Sequence, residues 1–357
     1  MRRPRVALVA ASLDILGGHG VQARALVEGL RGDGYAVDFV PINPRFPRGL
    51  RWLRRFPYAR TALNQALYLP SLHRLRSADV VHLFSASYWS FLLAPAPAIL
   101  AARALRAHVV LHYHSGEADD HLARWGVLVH PWLRLVDELV VPSDYLRNVF
   151  ARYGYRASVI RNVVDTSRFR YRERTPLRPR FLSTRHFERH YRVDTVLEAF
   201  GLLRAQYPEA TLTVAGSGRE ESRLRELART LGISPRFVGR VQPEAMPGLY
   251  DQADVFLNAS VVDNQPVSLL EAFAAGLPIV STGTGDIPAM LRDGELGLIV
   301  PQADPAAMAK AVARLLEDPG RALLMGRLAR REVEEYTWPL VSKQWARLYD
   351  GSRGGSA

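Results

Sequence analysis

The 357-residue chain contains no cysteine and only two lysines, Lys310 and Lys343. Without cysteine there is no disulfide framework, no thiolate nucleophile and no thiolate metal site, which fits a reducing compartment. With so little lysine, the net charge of +12 is carried almost entirely by arginine. Guanidinium groups suit phosphate-bearing ligands or an anionic membrane surface. The common nucleic-acid-binding motifs are absent, so nucleic acid is not an expected partner. Long apolar runs are missing too. Val6–Ser12 behind Arg2-Arg3-Pro-Arg5 superficially resembles a signal peptide, but the run is short and Asp14 and a glycine loop follow, so a buried first strand is expected. Phe91–Leu105 is broken by Pro95 and Pro97, and no transmembrane helix is expected. The full Gly-x-Gly-x-x-Gly pattern does not occur, which disfavours a dinucleotide-dependent dehydrogenase.

What the chain does contain is an alternation of apolar strands and helical patterns. Apolar content of 48% and charged content of 23% are those of a soluble globular protein, and the length allows two cores. Strands are expected over 5–11, 36–40, 79–84, 108–112, 138–142, 158–161, 181–185, 211–215, 235–239, 254–258 and 278–282, several without polar alternation, as in buried parallel sheets. Arg170–Arg180 is polar, basic and broken by Pro176 and Pro179, and reads as an interdomain linker. The expected organisation is a domain over 1–170, a second over 171–335, and a crossover helix and tail over 336–357.

The chemistry-bearing stretch is Asp263-Asn-Gln-Pro-Val-Ser-Leu-Leu-Glu271, which follows an apolar strand. Pro266 suits a first helical position, and Gly276 and Pro278 supply a stop. The free N–H groups at Ser268 and Leu269 would offer a phosphate site, with Glu271 positioned to accept from a ribose diol. An ordinary strand–loop–helix with solvated acids explains the same residues. Gly17-Gly18-His19-Gly20 after the first strand reads equally as a tight turn or as a loop allowing close approach to a ligand. His114 ends the strand over 108–112 through His112-Tyr-His114, where ligands bind in open α/β sheets; a turn histidine or a His-x-His metal pair are the alternatives. Pro44–Arg60 carries Arg45, Arg48, Arg51, Arg54, Arg55 and Arg60 with Phe46, Trp52, Phe56 and Tyr58 and no acid. That composition suits either a membrane surface or a solvated basic segment.

From Val6 to Tyr349 the series resembles the family 4 retaining glycosyltransferases. The carriers are Asp263-x7-Glu271, where most members have Glu-x7-Glu, together with Arg185, Gly216-Ser-Gly218 and Phe237-Val-Gly239. The resemblance implies a GT-B fold: α/β, with two Rossmann-like domains facing a cleft and a last helix crossing back to the first. It also implies transfer of a sugar from a UDP- or GDP-linked donor to an acceptor hydroxyl, on a glycan, a lipid or a cell-envelope precursor, with retention. By the same resemblance His114, Arg185 and Asp263 would be catalytic, with His114 and Asp263 touching the sugar and Arg185 the diphosphate. Gly17, Gly18, Arg192, Gly216, Gly218, Ser268, Leu269 and Glu271 would bind the donor. The family's second phosphate-binding cation falls on Tyr191, with Arg192 or Arg189 available in its place, and Asp286 replaces a glycine of the family's Gly-Gly-x-Pro turn. No Asp-x-Asp occurs, so neither a metal nor any other cofactor is expected. The location would be cytoplasmic, peripheral on the membrane's inner face. The rival readings are a sugar phosphorylase of the same fold, for which a much longer chain is expected, a non-catalytic nucleotide-sugar-binding protein, and a basic membrane or nucleic-acid adaptor.

Overall fold

The computed structural model describes residues 3–13 and 17–351, Arg54 without its side chain. Arg2, Asp14 and the end of the expected 336–357 tail lie outside them. The chain forms two compact units. The first comprises Met1–Val163 with Trp338–Ala357, and the second Val164–Thr337.

The first unit holds a parallel sheet of β1 (Val6–Ala10), β2 (Val37–Pro41), β3 (Val80–Ser85), β4 (His108–Tyr113), β5 (Glu138–Val141) and β6 (Ser158–Val159), in the order β2-β1-β3-β4-β5-β6. Strands β1 and β3 are buried along their whole length, which is why their sequences lack polar alternation. One face is covered by the helices that follow β2 to β5, through Tyr68, Phe91, Ile99, Leu122 and Phe150. The other face packs against the helix Gly18–Gly32 and the C-terminal helix Trp338–Gly351 through Val27, Leu30, Val341, Trp345 and Tyr349. The last helix therefore does belong to the first unit. Gly29 makes room for it, since a Cβ there would meet the Trp338 ring at 2.3 Å.

The second unit holds β7 (Arg180–Thr184), β8 (Thr211–Ala215), β9 (Arg236–Gly239), β10 (Val255–Asn258), β11 (Ile279–Thr282) and β12 (Leu298–Val300), in the order β12-β11-β10-β7-β8-β9, all parallel. Strand β12 was not anticipated from sequence. It is three residues long and lies at a sheet edge, too short to show a pattern.

Arg170–Arg180 is not a solvated linker. Arg174 is 3% exposed and donates to the carbonyls of Arg172, Tyr250, Ala253 and Ala275. Arg172 donates to Asp251, Ala253 and Asp254. The Tyr250, Asp251, Ala253 and Ala275 carbonyls lie at or near the C-terminal ends of the helices Met246–Gln252 and Val267–Ala275, where the last carbonyls have no N–H four residues on within the helix. The arginines that made the stretch look like a linker are what fastens it to the second unit, and the division falls after Val163 rather than Arg170.

Candidate active site

In the second sheet the chain order reverses between β7 and β10, which are neighbours. Ligands of open α/β sheets bind outside the carboxyl ends of strands at such a switch point. Arg185 immediately follows β7, and the Asp263 loop follows β10. They meet there. Arg185 donates to Asn258 Oδ1 at 2.8 Å, forms an ion pair with Asp263, and lies over the Tyr191 ring with its guanidinium carbon 5.0 Å from the centroid. Gly216 and Gly218 do not need to touch a ligand to matter at this point. A Cβ at Gly216 would lie 1.9 Å from the Arg185 carbonyl oxygen, and one at Gly218 would lie 2.3 Å from that of Phe187. The two glycines let the β8 turn seat the Arg185 segment. Gly285 does the same for Asp263: its φ is +58, and a Cβ would come within 2.2 Å of the Asp263 carbonyl. Asp286, where a glycine was expected, accepts from the Gln265 amide at 3.3 Å, and its N–H donates to Asn264 at 3.1 Å. The replacement thus ties the two loops together.

The helix that follows runs from Val267 to Ala275, with Pro266 as its extended N-cap rather than its first residue, and closes on Gly276 at φ 70. No side chain caps its start. Leu269 is fully buried and its N–H already donates to the Pro266 carbonyl at 3.1 Å, so it supplies packing rather than a free donor. Ser268 is different. Its Oγ is buried with no hydrogen-bond partner, an unsatisfied group at the start of a helix. Glu271 is half-buried, and Oε2 accepts from the Tyr250 hydroxyl at 2.7 Å. Desolvation pushes its carboxyl up to about 7, against the opposing pull of that hydrogen bond, Arg168 and Arg185. Arg192, the expected second cation, sits at φ 46 and donates to Asp194 at 2.9 Å. Arg223 donates to the same carboxylate at 2.8 Å and to Glu220 at 2.7 Å, so Arg192 and Arg223 together already face two carboxylates; Arg189 is exposed.

In the first unit the sheet reverses between β1 and β3. Gly17 and Gly18 open the helix after β1, again with no side-chain cap, and Gly17 is simply extended at φ 162. His114 immediately follows β4, 8% exposed, with its backbone N–H on the Ser85 carbonyl at 3.2 Å and its ring stacked on Phe84 at 4.8 Å. His19 approaches it at 5.1 Å and His112 at 4.0 Å between centroids. His112 Nδ1 meets His82 Nε2 at 3.2 Å, and His82 Nδ1 meets the Tyr349 hydroxyl at 2.7 Å. Burial holds all four imidazoles below the ordinary histidine range, His82 at about 3. They are neutral at pH 7. Among the described residues no group of three or more His, Cys, Asp or Glu could hold a metal ion, so the His112–His114 pair has no third ligand.

Two family models cover most of the chain: Glycosyltransferase Family 4 over residues 16–168 and Glycosyl transferases group 1 over residues 178–318. Glycogen synthase of Mycobacterium tuberculosis is 30% identical over 294 residues, 78% of this chain and 70% of that protein. The chain belongs to the group 1 glycosyl transferases. Phosphatidyl-myo-inositol mannosyltransferase of Mycolicibacterium smegmatis is similar over nearly the whole length, with 27% identity across 96% of this chain and 92% of that one. HepE of Anabaena, solved in complex with UDP-glucose, superposes with a TM-score of 0.76 at 14% identity, covering 98% of this chain and all of that one. The fold is therefore GT-B. Membership favours the enzyme reading over a non-catalytic binder or a basic adaptor.

Of the residues expected in this glycosyltransferase's site, the second unit brings together Arg185, Asp263, Ser268 and Glu271, with Gly216 and Gly218 behind them. The first unit brings together Gly17, Gly18 and His114. The sequence did not point to Tyr250, Asn258, His19 or His82. His19 had a signal in the glycine loop itself; Tyr250 and His82 had none, since their partners are distant in sequence.

Proposed function

We propose that this glycosyltransferase moves a hexose-like unit from a UDP- or GDP-linked donor to an acceptor hydroxyl with retention, without a divalent metal or any other cofactor. The observation that carries the reading is the meeting of Arg185, Asp263 and the open helix start at Ser268 at the second unit's switch point. Solved HepE was crystallised with UDP-glucose, and the mannosyltransferase relative is named for a phosphatidylinositol acceptor, which supports a nucleotide-sugar donor and a lipid or cell-envelope acceptor.

In the reaction the bond from the anomeric carbon to the diphosphate oxygen breaks, and a bond to the acceptor oxygen forms on the same face. The acceptor proton passes to the leaving phosphate. Charge developing on the diphosphate is offset by Arg185 and the amides at the helix start, as a metal ion otherwise would offset it. Asp263 must give up part of its hold on Arg185 as the donor binds, and is then placed to orient sugar hydroxyls. His114, neutral, serves the sugar as a hydrogen-bonding partner rather than as a cation. Gly17 and Gly18 would leave the first unit's helix start open to a phosphate group. Pro44–Arg60 would rest on anionic lipid at the inner face of the cytoplasmic membrane.

A panel of UDP- and GDP-sugars tests this through nucleotide release, with and without bacterial lipid extract, and with and without EDTA. One donor should turn over and EDTA should leave its rate intact. Loss of activity in EDTA with recovery on adding magnesium or manganese would refute the metal-free mechanism. Tight nucleotide binding with no turnover of any donor would refute the enzyme.

A further inference from the structure

The Tyr250 hydroxyl is 0% exposed with its ring and lies between three acceptors or donors. It is 2.7 Å from Glu271 Oε2, 2.9 Å from Thr184 Oγ1 and 3.2 Å from the Ser268 carbonyl. A phenol has one proton to give. While Glu271 is ionised, that proton goes to the carboxylate at the shortest distance, and Thr184 donates into the phenolic lone pair. When Glu271 is protonated, the carboxyl donates to the phenolic oxygen and Tyr250 turns its proton to the Ser268 carbonyl. Tyr250 thus joins three parts of the donor site: the strand end that precedes Arg185, the helix start at Ser268, and Glu271. Its own position is fixed by stacking on Phe256 at 5.7 Å and by the edge of Phe169 at 5.5 Å. Glu271 Oε1 takes no hydrogen bond from any described residue, so the carboxylate is anchored by one oxygen and open at the other.

We infer that Tyr250 is a positioning residue for nucleotide binding, holding Glu271 as a carboxylate with Oε1 presented to the ribose and coupling nucleotide binding to release of a proton. This rests on the donor-site reading above. The charged and titratable groups around Glu271 come from each element packed against it: Tyr250 from the helix Met246–Gln252, Arg185 from the end of β7, Arg168 from the turn Thr166–Arg168, and Asp263, which Arg185 neutralises. A ribose diol donates two hydrogen bonds, which the ionised carboxylate accepts about twice as strongly as the carbonyl oxygen of the neutral acid. Nucleotide affinity should therefore rise from pH 6 to pH 8, with the carboxyl half ionised near pH 7.

The test is calorimetry of UDP and GDP binding at pH 6, 7 and 8, in two buffers of different ionisation enthalpy, for the parent, Tyr250→Phe, Thr184→Val and Glu271→Gln. Nucleotide phosphate also titrates near pH 6, so the signal is the difference between each protein and Glu271→Gln. The parent should release more protons than Glu271→Gln. In Tyr250→Phe the midpoint should move up; a rise of one pH unit costs up to about fivefold in affinity at pH 7, about twofold at pH 8, and is recovered only above about pH 9. Thr184→Val, which leaves the core intact, should move it the same way by less. If Glu271→Gln binds both nucleotides as the parent does at every pH, the donor-site reading itself is wrong. If Glu271→Gln weakens binding but Tyr250→Phe and Thr184→Val, folded by circular dichroism, keep the parent's profile and proton count, the role assigned to Tyr250 is wrong. A loss in Tyr250→Phe that is equal at all three pH values also overturns it, since that is what a merely structural tyrosine would give.

Discussion

Arg185 meets Asp263 in a pair whose side chains are only 10% and 13% exposed. Removing one partner of such a pair leaves the other charge poorly solvated and uncompensated. Arg185→Ala should therefore act on turnover twice, through the lost diphosphate contact and through an Asp263 carboxylate that then repels it. The expected loss is on the order of 10²–10³ in kcat, the scale of one preorganised donor at a developing anion. Arg185→Lys should recover only a part, because one ammonium cannot serve Asn258, Asp263 and a phosphate together. Steady-state kinetics beside calorimetry of nucleotide binding check this; unchanged kcat in Arg185→Ala would remove the residue from the mechanism. His114→Ala should likewise cut kcat far more than nucleotide affinity. Because His114 is held neutral, the parent's rate should show no break attributable to it between pH 6 and 8. The motif residues were legible in the sequence because spacing and residue type announce them. What was hidden is what each already holds: Arg192 its Asp194, Glu271 its Tyr250, and Leu269 its own helix turn. Those pairings come from packing, which spacing does not encode.

Pro44–Arg60 resolves into a short 3-10 helix, Arg48–Arg55, and the start of the helix Pro57–Ser71. Trp52, Phe56 and Tyr58 are 58%, 54% and 92% exposed, and Arg48, Arg51, Arg55 and Arg60 lie in solvent with them. Phe46, which reads as a fourth interfacial aromatic, is instead buried at 5%. Each arginine near an anionic bilayer is worth about 1 kcal/mol, weakened by salt. The protein should sediment with vesicles containing anionic lipid at low salt, less at high salt, and not with neutral vesicles. Reversing Arg48 and Arg51 to Glu should abolish the binding while nucleotide affinity stays at the parent value. Equal binding to both vesicle types, or none to either, would sink the membrane proposal. At this scale the sequence served well where an element has length. Strand β10 and the helix after it stand out as an apolar run followed by a proline and a glycine stop. Strand β12, and the helix Pro319–Glu332 with its alternating arginines, do not. Arg170–Arg180 misled because arginines that bond carbonyls and arginines that face water are spelled alike.

All six tryptophans, at positions 52, 89, 125, 132, 338 and 345, belong to the first unit, so tryptophan emission reports that unit. The same unit contains His19, His82, His112 and His114, each with its pKa lowered by burial. An unfolded chain binds protons at these sites below about pH 6.5 whereas the folded one does not, until about pH 3 in the case of His82. Protons bound by the unfolded state then exceed those bound by the native state, so stability rises with pH across that window and is lost as pH falls through it. The slope is about 1.4 kcal/mol per pH unit for each histidine fully in the window. Urea titrations followed by tryptophan emission should show the midpoint dropping steeply between pH 7 and pH 5. Replacing His82, inside the cluster, with Gln should flatten that dependence. A midpoint independent of pH over this range would show that the four rings are not neutral in the folded protein.

Gly29 and Trp338 are brought into contact across more than three hundred residues of chain. The ribosome delivers residues in order and at a finite rate. When Val163 has emerged, the first sheet has its six strands but one of its faces still lacks Val341, Trp345 and Tyr349. The second unit, contiguous from Val164 to Thr337, can finish first. The nascent first unit must wait with an apolar face open until the last helix is released. That interval, rather than any property of the finished protein, is when this chain is most exposed to aggregation and most in need of a chaperone.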